Sequence, residues 1–202
     1  MARFGAALLL LLLLPPQVAS QVAAPSPPPC TCTNVAWCDP ISTPPAAREI
    51  FAFHSGSRHG TAWRTYDFSQ ITTLAVFDGI TSEMLCFAHS KGVRVVFVSK
   101  LEVASVGNSS LEAAYVNAEV LSLVSYRADG ISLDIEDFNG PPSAMTNLTR
   151  RLATAIRAVR PTAQISFCVS FNSIRVSWAA THGYDIRAIS AEVDFLVSMA
   201  YR

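Results

Sequence analysis

Between Asp129 and Glu136 the chain reads Asp-Gly-Ile-Ser-Leu-Asp-Ile-Glu, a strict alternation of polar and aliphatic residues once past the glycine. Successive side chains of a strand point to opposite faces, so Ser132, Asp134 and Glu136 share one side while Ile131, Leu133 and Ile135 share the other. The aliphatic side is suited to burial against helices. The acidic side needs a cavity, a ligand or water, because carboxylates are almost never buried unpaired. A half-exposed antiparallel strand would show the same alternation. Position separates the two readings: helical patterns precede and follow the stretch, and Asp129-Gly130 reads as a turn into it. That is the layout of a parallel α/β unit, in which acids at a strand's C-terminal end line the site.

The rest of the chain repeats the unit. Short apolar runs at Glu49–His54, Ile71–Phe77, Val93–Val98, Gln164–Val169 and Val193–Met199 predict five further strands. A helix over Ser82–His89 stops at Gly92, and Ser109 with Glu112 has the spacing of a capping box opening a helix to Tyr126. Pro141-Pro142-Ser143 starts another. Within it Met145, Leu148, Leu152, Ile156 and Val159 recur at helical spacing, Arg150, Arg151 and Arg157 stay largely outside, and Pro161 ends it. A short helical stretch is expected near Asp185–Ser190. Strands interleaved with helices predict a parallel sheet with right-handed crossovers. A nucleotide-binding open sheet should carry a Gly-rich turn after its first strand, and Ser55–Gly60 matches neither phosphate-loop pattern. A barrel fits the acids better but needs about 250 residues and eight strands. Arg202 directly follows the sixth.

At 202 residues, one domain is expected, and 50% hydrophobic against 15% charged residues argues for a packed globule. A formal net charge of +0 with no Lys/Arg run speaks against nucleic acid or a basic membrane-surface patch. Residues 1–20 have the parts of a secretory signal peptide: Arg3, the apolar run Ala6–Leu14, and the small-residue exit Val18-Ala19-Ser20. The run is too short to span a bilayer. A soluble, monomeric mature protein of the secretory pathway is expected. The sequons at Asn108 and Asn147 agree with that compartment, as candidate glycosylation sites. Residues 21–45, rich in Pro and small residues, read as an extended leader ahead of a domain over 46–202. Of the five cysteines, Cys30, Cys32 and Cys38 crowd that leader, where a disulfide tying it down is expected rather than a metal site. The count is odd, and Cys168 in an apolar run reads as a core residue. A metal site built on Asp134, Glu136 and Asp137 finds no His at ligand spacing, so neither metal nor cofactor is expected. His54 ends the first strand and could reach a site mouth, but a hydrogen-bonded His is the plainer reading. Trp63 and Tyr66 could stack on a sugar face, but such aromatics are more often core.

The stretch Asp129–Glu136 resembles the DGxDxDxE signature of glycoside hydrolase family 18, the chitinase family, with Ser132 at the second Asp. Cys30–Cys32, Tyr66–Thr73, Cys86–Gly92 and Asp194–Tyr201 extend the resemblance to a lysosomal branch of that family, from about Cys30 to Tyr201. It implies an α/β fold, a (β/α)8 barrel with about six of its eight β/α units present. It also implies hydrolysis of β-1,4 linkages between N-acetylglucosamine residues, in chito-oligosaccharides and the chitobiose core of N-linked glycans. By the same resemblance Glu136 is the acid that protonates the leaving oxygen, and the substrate's own acetamido oxygen is the nucleophile, giving retention. Asp134 would orient the acetamido N–H, and Tyr201 of the Met-x-Tyr motif would hold its carbonyl. Asp129 and Ser132 are grouped with substrate binding, Asp129 at most indirectly from beneath the strand. Trp178, after the fifth strand, is the aromatic best placed for a sugar subsite. The implied location is the lysosome, with secretion as the alternative.

Three readings follow. The first is a glycosidase, and the second an N-acetylglucosamine-binding lectin, against which the presence of Glu136 argues. The third is a truncated, non-catalytic product whose open barrel exposes two strand edges.

Overall fold

The computed structural model describes residues 29–170 and 183–200. The expected signal segment, and the candidates Trp178 and Tyr201, lie outside the described residues. Six strands follow one another in the sheet in chain order: β1 (Phe51–His54), β2 (Thr73–Val76), β3 (Arg94–Ser99), β4 (Gly130–Leu133), β5 (Gln164–Ser170) and β6 (Phe195–Met199). Every neighbouring pair is parallel. The connections carry α1 (Gly56–His59), α2 (Ser82–Ser90), α3 (Ser109–Ser125), α4 (Pro142–Val159) and α5 (Ile186–Ser190).

Sequential parallel order makes the sheet curl toward a barrel rather than spread as a doubly wound sheet. The curl is tight enough that the rings of Phe51 on β1 and Phe195 on β6 meet at 5.5 Å. It also brings Glu49, just before β1, within 3.2 Å of Gln164 Nε2 on β5, while Thr72 and Thr73 hydroxyls donate to the same carboxylate. This polar cluster sits at the N-terminal end of the strands.

Alternation sorts the strand residues into two apolar layers. Leu74, Val76, Val95, Phe97, Ile131, Leu133, Ile165 and Phe167 face the helices and form the main core with Leu85, Leu123, Met145, Leu148, Leu152 and Ile156. Ala75, Val96 and Val98 face inward with Phe51, Phe53 and Phe77. On α4 the expected stripe holds from Met145 to Ile156, all fully buried. Val159, the last helical residue, is 41% exposed because the helix has run past the core by then. The outer-face arginines reach neighbours instead: Arg150 pairs with Glu192, Arg151 with Glu112 and Arg157 with Asp194.

Helix α3 is capped one residue earlier than its capping-box spacing suggests. Asn108, in extended backbone, accepts from the amides of Ser110 and Leu111, and Glu112 reaches back to the Gly107 amide at 2.7 Å. Ser109 is already helical, so it has no capping role, and an Asn caps as well as a Ser.

The segment read as an extended leader packs onto the barrel from its first described residues. Disulfides Cys30–Cys38 and Cys32–Cys86 anchor it to itself and to α2. The Ile41 amide donates to Asp129 Oδ1 at 2.6 Å, and the buried Arg94 guanidinium donates to the Thr43 carbonyl. His89, on α2 three residues from Cys86, lies between the Trp37 carbonyl at 2.7 Å from Nδ1 and Asp129 Oδ2 at 2.8 Å from Nε2. Both ring nitrogens thus face acceptors, which only an imidazolium can satisfy. Burial pulls the His89 pKa down, but the hydrogen bond and charge of Asp129 outweigh it and hold the pKa above 6.5.

Gly130 is required by close approach. A Cβ there would lie 1.8 Å from the Gln164 carbonyl oxygen on β5. Gly130→Ala is expected to cost about 3 kcal/mol or more of unfolding free energy, because backbone rather than a flexible side chain must move. Urea denaturation of the two proteins measures it, and a loss under ~1 kcal/mol would contradict this account of the β4–β5 contact. The His89 pair sets a pH dependence. A pKa raised in the fold stabilises fully below the ordinary value of 6.5 and loses its contribution as pH climbs through the folded value. His89→Gln is therefore expected to cost about 3 kcal/mol near pH 5 and clearly less near pH 8.5, measured by denaturation at both.

Candidate active site

The acids sit where β4 ends. Ile131, Leu133 and Ile135 are buried in the helix-facing core, which turns Ser132 and Asp134 to the barrel interior. The ladder with β3 continues one residue past the strand, since the Asp134 amide donates to the Ser99 carbonyl at 2.8 Å. The Asp134 backbone is thus fixed at a strand's C-terminal end, and its carboxylate is enclosed. It is only 6% exposed, and its Oδ1 has no hydrogen-bond partner among the described residues. Its Oδ2 lies 3.4 Å from the Lys100 ammonium at the end of β3.

Glu136 stands two residues on, exposed at the mouth. Partial burial and the Asp134 carboxylate beside it, with a smaller push from Asp137, raise its pKa above the usual 4.5, against the pull of Lys100. One carboxylate is thus enclosed with a free acceptor oxygen, and the next is biased toward its protonated form. A proton donor beside a fixed acceptor suits cleavage of a bond whose leaving oxygen needs a proton.

The loop carrying Glu136 is braced from a distant segment. The Tyr184 hydroxyl donates to the Ile135 carbonyl at 2.9 Å and accepts from the Phe138 amide at 3.0 Å, spanning Glu136 and Asp137. Asp137 itself adopts a positive φ of 59°, so the chain turns sharply there. Phe138 packs edge-on against Tyr184. A Cβ at Gly183 would come within 2.5 Å of Phe138 and at Gly140 within 2.4 Å, so both glycines admit that ring.

Ser132 and Asp129 are placed apart from the open surface. Ser132 is fully buried one step below Asp134, accepting from Ser166 Oγ at 3.0 Å and lying 3.6 Å from Cys168 Sγ. Asp129 is 1% exposed at the opposite, N-terminal end of β4, with its oxygens taken by Ile41, His89 and the Val95 amide. Both side chains expected at substrate binding are thus buried and engaged with other parts of the protein. Burial pushes the free Cys168 thiol up to about 12, so it is a neutral wall of the interior. His54 is fully buried beside the Tyr66 hydroxyl at 3.0 Å, and burial lowers its pKa. Lys100 and Tyr184 are the site residues that sequence reasoning missed. Lys100 follows directly on a strand, a position that could have marked it. Tyr184 meets its partners across more than forty residues of chain and has no local signal.

No family model matches the chain. A di-N-acetylchitobiase of Rattus norvegicus is 32% identical over 176 residues, covering 85% of this chain and 46% of the relative. A probable di-N-acetylchitobiase of Dictyostelium discoideum is 30% identical over the same length, with 85% and 44% covered. Over most of its length the chain is similar to di-N-acetylchitobiases. It spans about half the length of these curated relatives. Among solved structures, a GH18 chitinase from Cycas revoluta in complex with (GlcNAc)3 superposes with a TM-score of 0.61 at 16% identity, over 75% of this chain and 54% of that one. A chitinase from Bacteroides thetaiotaomicron gives 0.61 at 9% identity, over 77% and 54%. These structures establish the fold: the six strands are a curled half-barrel of the chitinase type.

Tyr184→Phe is expected to lower stability by about 2 kcal/mol, because a buried carbonyl and amide both lose their partner. A loss below ~0.5 kcal/mol in thermal or urea unfolding would show that the hydroxyl does not hold this loop.

Proposed function

We propose that this chain carries the catalytic strand of a glycosidase that hydrolyses β-1,4 bonds between N-acetylglucosamine residues, in chito-oligosaccharides and the chitobiose core of N-linked glycans. The observation that carries the reading is the pair at the end of β4, a proton-biased Glu136 beside an enclosed Asp134 whose Oδ1 is open among the described residues. The names of the homologues and the chitinase-type fold support the same reaction class.

In the proposed course, Glu136 protonates the glycosidic oxygen as the C–O bond breaks. The 2-acetamido oxygen of the same sugar attacks the anomeric carbon and forms an oxazolinium ion. Asp134 accepts a hydrogen bond from the acetamido N–H and offsets the positive charge, with Tyr201 holding the acetamido carbonyl and Trp178 offering a face to a neighbouring sugar. Glu136, now a carboxylate, takes a proton from water as that water attacks the anomeric carbon. Two displacements at one carbon leave its configuration retained. No metal or cofactor enters.

The secretory reading places the enzyme in the lysosome as a monomer, with glycans on Asn108 and Asn147. Asn147 is exposed on α4 and Asn108 is exposed at the α3 cap. The acid-favoured His89–Asp129 pair supports an acidic compartment. No helix among the described residues is long and apolar enough to cross a membrane.

Glu136→Gln removes the transferable proton and is expected to lower kcat on N-acetylglucosamine oligomers by about 10³-fold or more with oligomer binding retained. The raised pKa keeps Glu136 protonated to higher pH than an ordinary Glu, so activity should persist to correspondingly higher pH and fall as Glu136 ionises. Turnover unchanged by the substitution would sink the assignment.

A further inference from the structure

Lys100 is the first residue beyond β3, and the Ser99 carbonyl just before it receives the Asp134 amide. Its ammonium lies 3.4 Å from Asp134 Oδ2 and 5.1 Å from the centre of the Phe77 ring at the end of β2. The pair is asymmetric. The Lys100 side chain is 64% exposed while the Asp134 carboxylate is 6% exposed, so a wet cation faces an enclosed anion. An exposed Lys–Asp pair contributes little, but here one partner cannot recruit water freely and the other is held over an aromatic face.

Ser132 is engaged with Ser166 and Cys168, and Asp134 Oδ1 has no partner among the described residues. Among the described residues, the charged groups acting on Glu136 are Asp134 and Asp137 from its own strand end and Lys100 from β3. Facing the same space are Cys168 from β5 and Tyr184 from the segment before α5, both held neutral by burial.

We propose that Lys100 is a positioning residue for the carboxylate pair. It holds Asp134 through Oδ2 so that Oδ1 is the oxygen turned to a ligand's N–H, and it counters at Glu136 the charge of Asp134. Its effect on turnover rests on the glycosidase reading above; its effect on the titration of Glu136 does not.

The test compares wild type, Lys100→Met and Lys100→Arg. Glu136 is followed by carbon-13 NMR of its carboxyl, assigned with Glu136→Gln, and turnover of N-acetylglucosamine oligomers is followed against pH. Lys100→Met is expected to move the Glu136 midpoint upward by about one pH unit and Lys100→Arg to restore it. In turnover, Lys100→Met is expected to lower kcat about tenfold with KM within about twofold, and to carry the basic limb of the profile upward with the midpoint. An identical Glu136 midpoint in wild type and Lys100→Met overturns the proposal whatever the kinetics. If wild type turns over no oligomer, the glycosidase reading fails, and the titration still decides what Lys100 does.

Discussion

One buried carboxylate organises the base of this half-barrel. Asp129 accepts from the Ile41 amide, the Val95 amide and His89, and these belong to the N-terminal segment, β3 and α2 respectively. A carboxylate removed from water is costly unless it is fully hydrogen-bonded and paired, and Asp129 meets both conditions through three separate stretches of chain. Its own backbone extends the ladder both ways, donating to Val95 O and accepting from Gln164 N. The start of β4 is thereby fixed against both neighbours. A displaced start would displace the acids at the other end.

The two ends of β4 divide polarity between structure and chemistry. At the base the carboxylates are closely partnered: Asp129 with His89, and Glu49 with two threonines and Gln164. At the top, Asp134 retains an unpartnered oxygen among the described residues and Glu136 is exposed. Between them the interior is lined by Ser132, Ser166 and Cys168, neutral groups that bond one another and add no charge of their own. Parallel strands make this separation natural, because every C-terminal end emerges on one face and every helix connection returns to the other.

Alternation and helical spacing made most of the fold legible. The two sides of Asp129–Glu136, the α4 stripe from Met145 to Ile156, and the order of six strands all follow from local periodicity, which depends only on near neighbours. The α3 cap shifted by one residue because Asn108 and Ser109 are both competent caps, and the backbone at Asn108 decides between them. A disulfide tying down residues 29–45 was legible from the cysteines, but their packing was not, because the partners Cys86, His89, Arg94 and Asp129 lie between about fifty and ninety residues away.

The sequence by itself determined that Asp134 and Glu136 share a face and emerge from a strand, since that is a property of backbone geometry along consecutive residues. It also marked Glu136 and Asp134 as a pair through their resemblance to a chitinase signature. Only the tertiary structure decided what surrounds them. Lys100 reaches Asp134 because β3 and β4 pair in one register, and Tyr184 braces the Glu136 loop because α5 folds back beside it. Asp129 and Ser132 belong to the same signature, yet burial gives them scaffold contacts instead of an open face. Charge environment and access are sums over contacts distant in the chain, and no local pattern contains them.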